Sequence, residues 1–572
     1  MRSFAPAFTL LLCALLGQTQ QNSISSPHCR NIPGSPGYPT ASVWNELNAT
    51  VSGRLVPVVP SAKYCDSLPT GACTDAEWTS SEFRGMIPGA MNEVNWEQGY
   101  DLNPPSLCLR NGTTCGQGDV PTHSVEAETV ADVQAAVKFS AAHNLRLAVK
   151  SSGHDFLGRS TAPNSLLIRT ANFQNISFTE SFFVGSKDMG SAVTVGSGVH
   201  ANTLYLQSKA NSKILVSPAA ATVCTAGGYV QGAGHSALSP TFGLAADNVL
   251  EFYLVVASGE LLQVNSVSHP DLFYALRGGG AGSWGVIVSA TFRTFPTFNT
   301  SSNVIVLIAQ NETVATSLAA VHAQHIFDWD SVHAGQYFVL AKNSTANDSV
   351  YILGLNTYLP NISINESMAL FSPFMEAAMA LPGVFLELQN YTYGDINDAL
   401  FQTDDSVGSN AVLGSRLLPA STYRDSPREV GEALVELANS GATEVLGHLV
   451  AGGKVAENAN ISSAVHPAWR TAKTHVVLVN TWDDTATLPE INALRKRFQT
   501  TQLPILREIA GPNAGAYSNE ADLLEPNFQT TFFGPDYARL SAIKKKYDPQ
   551  DLFIVGAGVG SERWDEWGLC RI

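Results

Sequence analysis

Three glycine-rich loops carry the residues best suited to binding a ligand. They run over 151–158, 224–234 and 278–285, and each lies beside an apolar stretch that predicts a strand. Glycine lets backbone N–H groups come close to a ligand, and clustered N–H groups suit an anion such as a pyrophosphate. None of the loops is a G-x-G-x-x-G fingerprint between the strand and helix of a parallel unit. The spacing alone therefore leaves two interpretations open, ordinary turns or the binding site of a large phosphate-bearing cofactor.

The elements around the first loop follow the order strand, helix, strand. The stretch SVEAE, which begins at Ser124, predicts a strand, and Thr129 with Asp132 predicts the N-terminal cap of a helix. Apolar residues then recur at helical spacing on one face, at Val130, Val133, Val137 and Ala141. The predicted strand LRLAV follows and leads directly into KSSGHDF, the start of the first loop.

The pattern of predicted strands and helices changes twice along the rest of the chain. LEFYLVVA and ELLQV flank a Ser258-Gly259 turn, which predicts a hairpin, and GVIVSATFRTF after the third loop predicts a further strand. From about 298 to 500, longer strands such as THVVLVN alternate with Ala-rich helical stretches, which indicates a second α+β layer. Near the C-terminus we expect a helix that ends near Asp548-Pro549 and then a strand over LFIV. The lysines late in that helix, 544–546, predict a solvated basic face.

Composition and the N-terminus limit the class of protein. The 572 residues carry a formal net charge of −16, which argues against nucleic acid as a partner. Residues 1–23 predict a signal peptide, because Arg2 precedes a short apolar run that small and polar residues follow. That run is too short to span a bilayer, and no later stretch reaches about 18 uninterrupted apolar residues. We therefore expect a secreted, extracellular protein that makes no use of a membrane.

Cysteine and asparagine usage agree with export. Seven cysteines remain after removal of the signal peptide. Their spacing suggests two local bridges, Cys65–Cys73 and Cys108–Cys115. Cys29 and Cys570 would then join the termini, which leaves Cys224 unpaired. The spacings match no common zinc pattern, so no metal site is predicted. Eleven N-x-S/T sequons predict N-glycans, at Asn48, Asn111, Asn175, Asn299, Asn311, Asn343, Asn347, Asn361, Asn365, Asn390 and Asn460.

Several segments resemble the vanillyl alcohol oxidase/p-cresol methylhydroxylase (PCMH) flavoprotein family. The resemblance to its FAD-binding domain lies in VEAETVADVQAAVKFSAAHNLRLAVKSSGHDF, CTAGGYVQGAGHSALSPTFGLAADNVLEFYLVVASGE and RGGGAGSWGVIVSATFRTFP. The stretch from YSNEADLLEP to VGSERW resembles the closing segment of berberine-bridge-enzyme-like members. Together these matches cover most of 120–300 and 510–565, in the family's order. The resemblance implies an α+β fold, with a two-subdomain PCMH-type FAD-binding domain and an α+β substrate domain built on an antiparallel sheet.

The same resemblance implies a domain organisation. We expect a signal peptide over 1–23, a disulfide-bridged N-terminal extension over 24–115, a PCMH-type FAD-binding domain over 116–297, a substrate-binding domain over 298–504, and a berberine-bridge-like segment over 505–572 that completes the FAD domain.

The resemblance also implies which residues hold FAD. His154 matches the histidine that bonds covalently to the flavin 8α-methyl group, the alternative being an ordinary loop histidine. The other implied FAD-binding residues are Lys150, Ser151, Ser152, Gly153, Asp155, Ala226, Gly227, Gly228, Gly232, Gly234, Gly285, Val286, Ile287, Tyr517 and Asn519. His235, which lies inside a cofactor-lining loop, is assigned a structural role.

Two departures from the family pattern leave alternatives open. Many relatives carry a second flavin link through the cysteine of C-P-T-V-G-x-G-G, but alignment on Gly227-Gly228 places Ala221 there. We therefore predict a single link through His154, with Cys224 as an apolar packing residue; a loop shift that brings Cys224 to flavin C6 is the alternative.

The second departure concerns the catalytic base. The family's Y-x-N-Y stretch is Tyr517-Ser518-Asn519-Glu520 in this chain. Either Tyr517 is the base and Glu520 supports it, or Glu520 is itself the base. In a third interpretation Asn519 and Glu520 only fix the C-terminal loop.

The implied function is that of a secreted FAD-dependent oxidoreductase with covalently bound flavin. It would oxidise an alcohol, a sugar or a secondary-metabolite substrate, with O2 as acceptor and H2O2 as product. One alternative is a berberine-bridge-type dehydrogenase or cyclase that uses another acceptor, and a second is a flavin-binding secreted glycoprotein without turnover. A hydrolase is not supported, since neither G-x-S-x-G nor H-E-x-x-H occurs.

Overall fold

The structure is a computed structural model that describes residues 29–112, 114–344 and 349–572. The predicted signal peptide lies outside the described residues. Within those ranges no helix is both long enough and apolar enough to cross a membrane. Ten of the eleven sequon asparagines are described; nine are exposed and Asn48 is half-buried, whereas Asn347 lies outside the described residues.

The first part of the chain builds a four-stranded sheet. Its elements and those before it are α1 (Ala41–Thr50), β1 (Leu55–Pro57), α2 (Ser61–Asp66), α3 (Asp75–Trp78), α4 (Ser81–Gly85), β2 (His123–Glu126), α5 (Val130–Ala142), β3 (Leu147–Lys150) and β4 (Leu166–Arg169). The strand order is β1-β2-β4-β3, with β4 parallel to both of its neighbours. The predicted strand–helix–strand unit is confirmed. Its cap is present, because Thr129 Oγ1 accepts the Asp132 N–H at 3.3 Å and Asp132 accepts the Thr129 N–H at 2.9 Å.

The second part builds a five-stranded antiparallel sheet next to the second and third glycine-rich loops. Its elements are β5 (Ile176–Thr179), β6 (Phe183–Val184), β7 (Lys187–Asp188), β8 (Ala192–Gly196), α6 (Ala201–Ala210), β9 (Lys213–Ile214), α7 (Val230–Gly232), α8 (Ser239–Phe242), α9 (Ala245–Asn248), β10 (Val249–Val255), β11 (Leu261–Asn265), α10 (Pro270–Ala275), β12 (Val286–Arg293) and β13 (Phe295–Pro296). The strand order is β11-β10-β12-β8-β5. The hairpin predicted at Ser258-Gly259 is confirmed as β10 paired with β11.

The third part builds a seven-stranded sheet in which every neighbouring pair is antiparallel. Its elements are β14 (Asn299–Ala309), α11 (Glu312–His325), β15 (Gly335–Ser344), β16 (Ser349–Pro360), α12 (Ile364–Met379), β17 (Val384–Asp395), α13 (Ile396–Leu400), β18 (Asn410–Pro419), α14 (Ala420–Asp425), α15 (Pro427–Asn439), β19 (Glu444–Leu449), α16 (Gly453–Glu457), β20 (Ala472–Trp482), α17 (Leu488–Arg497) and α18 (Leu503–Ala510). The strand order is β17-β14-β16-β15-β19-β20-β18. Helices α11, α12 and α15 cover one face in a shared apolar core. The predicted antiparallel sheet of this region is confirmed.

One disulfide joins the two ends of the described chain, and two more lie within the N-terminal region. Cys29 pairs with Cys570, Cys65 with Cys73 and Cys108 with Cys115. Cys224 is buried and has no disulfide partner. The first bridge ties the start of the described chain to its end, where Arg30 N–H also bonds the Leu569 carbonyl at 2.7 Å.

The C-terminal segment departs from expectation in two places. It contains α19 (Phe528–Phe533) and α20 (Tyr537–Tyr547), which ends at the predicted point. The strand expected over LFIV is absent from the described structure, because Asp548 accepts the N–H groups of Leu552 and Phe553, each at 2.8 Å. Those donors are therefore not free for a sheet ladder. Lys544 does not lie on a solvated face; it is buried and pairs with Asp548 at 2.6 Å.

A buried histidine makes stability depend on pH. The His322 side chain lies in the core beneath the large sheet, with Nε2 2.8 Å from Gln336 Oε1. Burial lowers its pKa from 6.5 to about 4. The unfolded chain therefore takes up this proton first as the pH falls. The folded state should lose up to about 3 kcal/mol from this residue between pH 6.5 and pH 4, and nothing above pH 6.5.

We expect thermal unfolding midpoints to fall as the pH is lowered from 7 towards 4, and to fall less steeply in His322→Phe. The variant loses the bond to Gln336, so its midpoint is compared with itself across pH rather than with the wild type. An identical pH slope in both proteins would contradict the assignment.

Candidate active site

The three glycine-rich loops meet at one cavity of about 350 Å³. This volume lies in the range of small-molecule sites. The opposite wall comes from four strands of the large sheet, with Tyr337 on β15, Leu413 on β18, Leu446 and His448 on β19, and Val477 on β20. Among the predicted site residues, the wall contains Ser151, Ser152, Gly153, His154, Asp155, Gly227, Gly228, Gly285, Ile287, Tyr517, Asn519 and Glu520. Cys224 also lies on it.

Five predicted FAD-binding residues lie behind the cavity wall rather than on it, namely Lys150, Ala226, Gly232, Gly234 and Val286. The Lys150 ammonium is buried and donates to the carbonyl of Ala90 at 2.8 Å, in the N-terminal region. Its side chain therefore fixes the first loop to that region instead of reaching into the cavity. The cofactor roles of all five stay predictions.

Two features of the loops suit a large polar ligand. At Gly227 an added Cβ would lie 2.8 Å from Ser151 Oγ, so glycine lets the first two loops approach each other. Ser197 Oγ and Gln231 Oε1 line the cavity and are buried with no hydrogen-bond partner in the described structure. Buried polar atoms normally have partners, so these two indicate a ligand that brings its own polar groups.

His154 has one occupied nitrogen and one free one. Nε2 lies 2.5 Å from Thr222 Oγ1 and 3.5 Å from Asp405 Oδ2. Nδ1 makes no hydrogen bond with any described residue. Burial lowers the pKa of His154 to about 4 in spite of the Asp405 carboxylate, which raises it. The imidazole is therefore neutral at pH 7. The Thr222 hydroxyl can donate to Asp405 Oδ2 at 3.4 Å, which leaves its oxygen as an acceptor and favours the tautomer with the proton on Nε2 and the lone pair on Nδ1.

The C-terminal motif folds back onto the loops. Asn519 Nδ2 donates to the Gly228 carbonyl at 3.1 Å and to Tyr517 Oη at 2.9 Å. Arg159 donates to Asn519 Oδ1 at 3.1 Å and to Asp155 Oδ1 at 2.9 Å, and so joins the motif to the first loop. Burial raises the pKa of Tyr517 well above its usual value of 10, and the nearby Glu520 raises it further. Tyr517 is therefore a protonated phenol.

Glu520 lies against three imidazoles. Its Oε1 accepts from His235 Nε2 at 3.0 Å, and its Oε2 lies 3.5 Å from His475 Nδ1 and 3.8 Å from His448 Nδ1. Burial alone would raise the pKa of Glu520, but the contact with His235 and the other two histidines outweighs it and lowers the pKa to about 2. The group is an anion on the cavity wall at neutral pH.

Sequence analysis missed most of this cluster. His235 was assigned a structural role, but it lies on the cavity wall and binds Glu520. His448 and His475 face each other across β19 and β20, a neighbour relation that only the strand register creates. These four groups are of the kinds that ligate divalent transition metals, and their ligand atoms lie within 4.8 Å of one another. The hydrogen bond between His235 and Glu520 satisfies two of them without an ion, and the predicted absence of a metal site stays a prediction.

Comparison with known proteins identifies the family. A family model described as an FAD binding domain matches residues 121–265, and one described as berberine and berberine like matches residues 516–560. An uncharacterized FAD-linked oxidoreductase of Arthroderma benhamiae is 35% identical over 588 residues, which cover 99% of each chain. The protein is an FAD-linked oxidoreductase of the vanillyl alcohol oxidase and berberine bridge enzyme family.

Other relatives of this oxidoreductase agree. The FAD-linked oxidoreductase malF of Malbranchea aurantiaca is 32% identical and covers 99% of this chain and 97% of its own. The crystal structure of the VAO-type flavoprotein MtVAO615 from Myceliophthora thermophila C1 is 29% identical, with a TM-score of 0.83 over 95% of this chain and 100% of that one. The predicted family, the α+β fold and the use of FAD are thereby confirmed.

A glycine behind the cavity wall tests how tightly the FAD-linked oxidoreductase holds Asn519. An added Cβ at Gly232 would lie 2.5–2.6 Å from the amide atoms of Asn519. Gly232→Ala should push Asn519 away from Gly228 and lower the free energy of unfolding by about 1–3 kcal/mol, the usual cost of overpacking.

The measurement is chemical denaturation together with flavin content per chain. Gly394→Ala is the matched control, because an added Cβ at Gly394 meets no atom within 4 Å and its φ is not in the left-handed region. Equal stability of the two variants would show that the Asn519 loop yields freely, contrary to this expectation.

Proposed function

We propose that this enzyme is a secreted oxidase that attaches FAD covalently to His154 and oxidises an alcohol, a sugar or a secondary-metabolite substrate, with O2 as acceptor and H2O2 as product. The observation that carries the proposal is an ionised carboxylate, Glu520, on the wall of the same cavity that the three glycine-rich loops line. A substrate hydroxyl placed there has a proton acceptor within the FAD-binding cavity.

Glu520 is the better candidate for the base. An acceptor must be unprotonated, and Tyr517 is protonated because burial raises its pKa. Glu520 is already an anion and keeps Oε2 at 3.5 Å or more from its histidine neighbours, which leaves this oxygen available to a substrate. His235 holds the other oxygen and orients the carboxylate.

When bound, FAD supplies the acceptor for the two electrons that leave the substrate. The chain then has three tasks around it. Glu520 takes the hydroxyl proton. Asn519 and Tyr517 fix the loop that carries Glu520. The apolar side chains of Leu413, Leu446 and Val477 exclude water from the other side of the substrate. The other carboxylate on the cavity wall, Asp155, is paired with Arg159 at 2.9 Å. A mainly apolar wall opposite Glu520 suits a substrate with one reacting hydroxyl on a ring or chain.

The state of His154 supports covalent attachment. Formation of an N–C bond needs an unprotonated ring nitrogen, and Nδ1 is the nitrogen that the hydrogen bonds leave free. Cys224 also lies on the cavity wall, but burial raises the pKa of its thiol to about 12. The thiolate needed for a second link is therefore scarce at neutral pH, and we propose a single link.

The disulfide bonds of the chain support the proposal that it is exported. Three disulfides persist only where the surroundings are oxidising, as outside the cell. The nine exposed sequon asparagines are open to glycosylation on the same route.

The attachment proposal predicts a clear difference on a denaturing gel viewed for flavin fluorescence. The wild-type band should fluoresce, and His154→Ala should lose its flavin to acid precipitation. His143→Ala, a change at a histidine off the cavity wall, is the control and should fluoresce like the wild type. Flavin that stays with the denatured His154→Ala chain would place the link elsewhere.

The base assignment predicts different effects of two neighbouring variants. A panel of sugars and alcohols is screened by peroxide release, and flavin reduction by the best substrate is followed in a stopped-flow instrument. Glu520→Gln cannot accept a proton and should slow reduction by about 10²–10⁴-fold, the usual contribution of a general base. Tyr517→Phe should slow it far less.

Flavin content per chain is measured in both variants, so that a cofactor defect is not mistaken for a catalytic one. The reverse order of effects would make Tyr517 the base. Substrate-dependent flavin reduction without peroxide would indicate an acceptor other than O2.

A further inference from the structure

A further carboxylate, that of Asp405, lies beside His154 and has no part in the oxidation proposed above. It belongs to the segment between α13 and β18 of the large-sheet region, not to the loops that hold FAD. Its Oδ1 accepts the Ala221 N–H at 2.9 Å and its Oδ2 accepts the Thr222 N–H at 3.1 Å. Two backbone donors therefore fix the carboxylate in place across the junction of the two regions.

Asp405 and Thr222 together fill the space in front of His154 Nε2. In the tautomer with the proton on Nε2, the Nε2–H group donates to Thr222 Oγ1 at 2.5 Å, and the Thr222 hydroxyl can donate onward to Asp405 Oδ2 at 3.4 Å. Asp405 Oδ2 also lies 3.5 Å from Nε2 directly. The His154 and Asp405 side chains are only 10% and 14% exposed, so water contributes little to this contact.

The chemistry of attachment needs such a group. When Nδ1 of a neutral imidazole forms a bond to carbon while Nε2 keeps its proton, the ring becomes a cation. A cation in a buried site is costly unless an anion lies close to it or the proton leaves. The carboxylate at 3.5 Å meets both needs.

We propose that Asp405 is a positioning residue for covalent FAD attachment: through Thr222 it keeps the proton of His154 on Nε2, leaves Nδ1 as the nucleophile and takes up the Nε2 proton as the Nδ1–carbon bond forms. This inference rests on the histidyl attachment proposed above. Overall, one N–H bond and one C–H bond of the flavin 8α-methyl group are replaced by one N–C bond. Two electrons and two protons pass to O2, the acceptor of the proposed reaction, and give H2O2.

Asp404 offers a matched control. Its carboxylate accepts from Ser81 Oγ at 2.6 Å, from the Glu82 N–H at 3.1 Å and from the Asp405 N–H at 2.9 Å, but it makes no hydrogen bond to His154. Asp404→Asn and Asp405→Asn therefore remove the same charge from adjacent residues of one loop, and only the second removes the carboxylate that lies 3.5 Å from His154 Nε2.

Total flavin per chain is measured on the native protein, and covalent flavin is measured after acid precipitation and as the mass of the His154 peptide. We expect Asp405→Asn to hold total flavin within about twofold of the wild type while its covalent fraction falls at least fivefold, and Asp404→Asn to match the wild type in both. A covalent fraction in Asp405→Asn equal to the wild type would overturn the inference. Parallel loss of total flavin in both variants would also overturn it, because it would show a structural role.

Thr222 provides an independent test should Asp405→Asn not fold. Thr222→Val removes the hydroxyl between Nε2 and Asp405 and should lower the covalent fraction, while Thr222→Ser restores the hydroxyl and should recover it. No difference between these two variants would overturn the inference. Wild-type protein without covalent flavin would instead show that the attachment proposal itself has failed.

Discussion

The site depends on one hydrogen bond, between the carboxylate of Glu520 and the imidazole of His235. An isolated carboxylate in a buried place would be protonated, since burial penalises its charged form. The hydrogen bond from His235 at 3.0 Å and the nearby His448 and His475 reverse that effect and keep Glu520 ionised. The four side chains come from a glycine-rich loop, two strands of the large sheet and the C-terminal segment. The anion therefore exists only when all three parts of the chain have come together.

Another carboxylate, Asp405, lies behind the cavity wall beside His154, in a different setting. Asp405 is held by the N–H groups of Ala221 and Thr222 and faces His154, whereas Glu520 is held by imidazoles and faces the apolar wall of the large sheet. In the roles proposed above, Asp405 serves the attachment of the cofactor and Glu520 accepts the substrate's proton. The contacts of both carboxylates join residues from different regions of the chain, so the packing of those regions against each other sets the geometry of each contact.

Much of the fold could be predicted because its signals are local. The Thr129 cap, the hairpin at Ser258-Gly259 and the apolar face of α5 follow from short-range periodicity and turn chemistry, and the structure contains all three. The two errors near the C-terminus have a common cause. The buried carboxylate of Asp548 accepts hydrogen bonds from the backbone N–H groups of Leu552 and Phe553 and from the Lys544 ammonium. The first two bonds prevent the predicted strand, and the third keeps Lys544 away from the surface, where the local pattern predicts it.

The sequence by itself determined the family, the cofactor and the loops that line the cavity, because these depend on residue types at fixed spacings along the chain. It also suggested the local bridges Cys65–Cys73 and Cys108–Cys115, whereas the structure decided the pairing of Cys29 with Cys570. Only the tertiary structure decided which side chains meet. His448 and His475 are neighbours through the register of β19 and β20. Asp405 lies beside His154 although the two residues are 251 positions apart in the chain and no sequence motif links them.

 The physical reason is that packing and strand register, which place residues from distant segments side by side, depend on the whole folded chain, whereas caps, turns and glycine-rich loops depend only on residues close together in sequence.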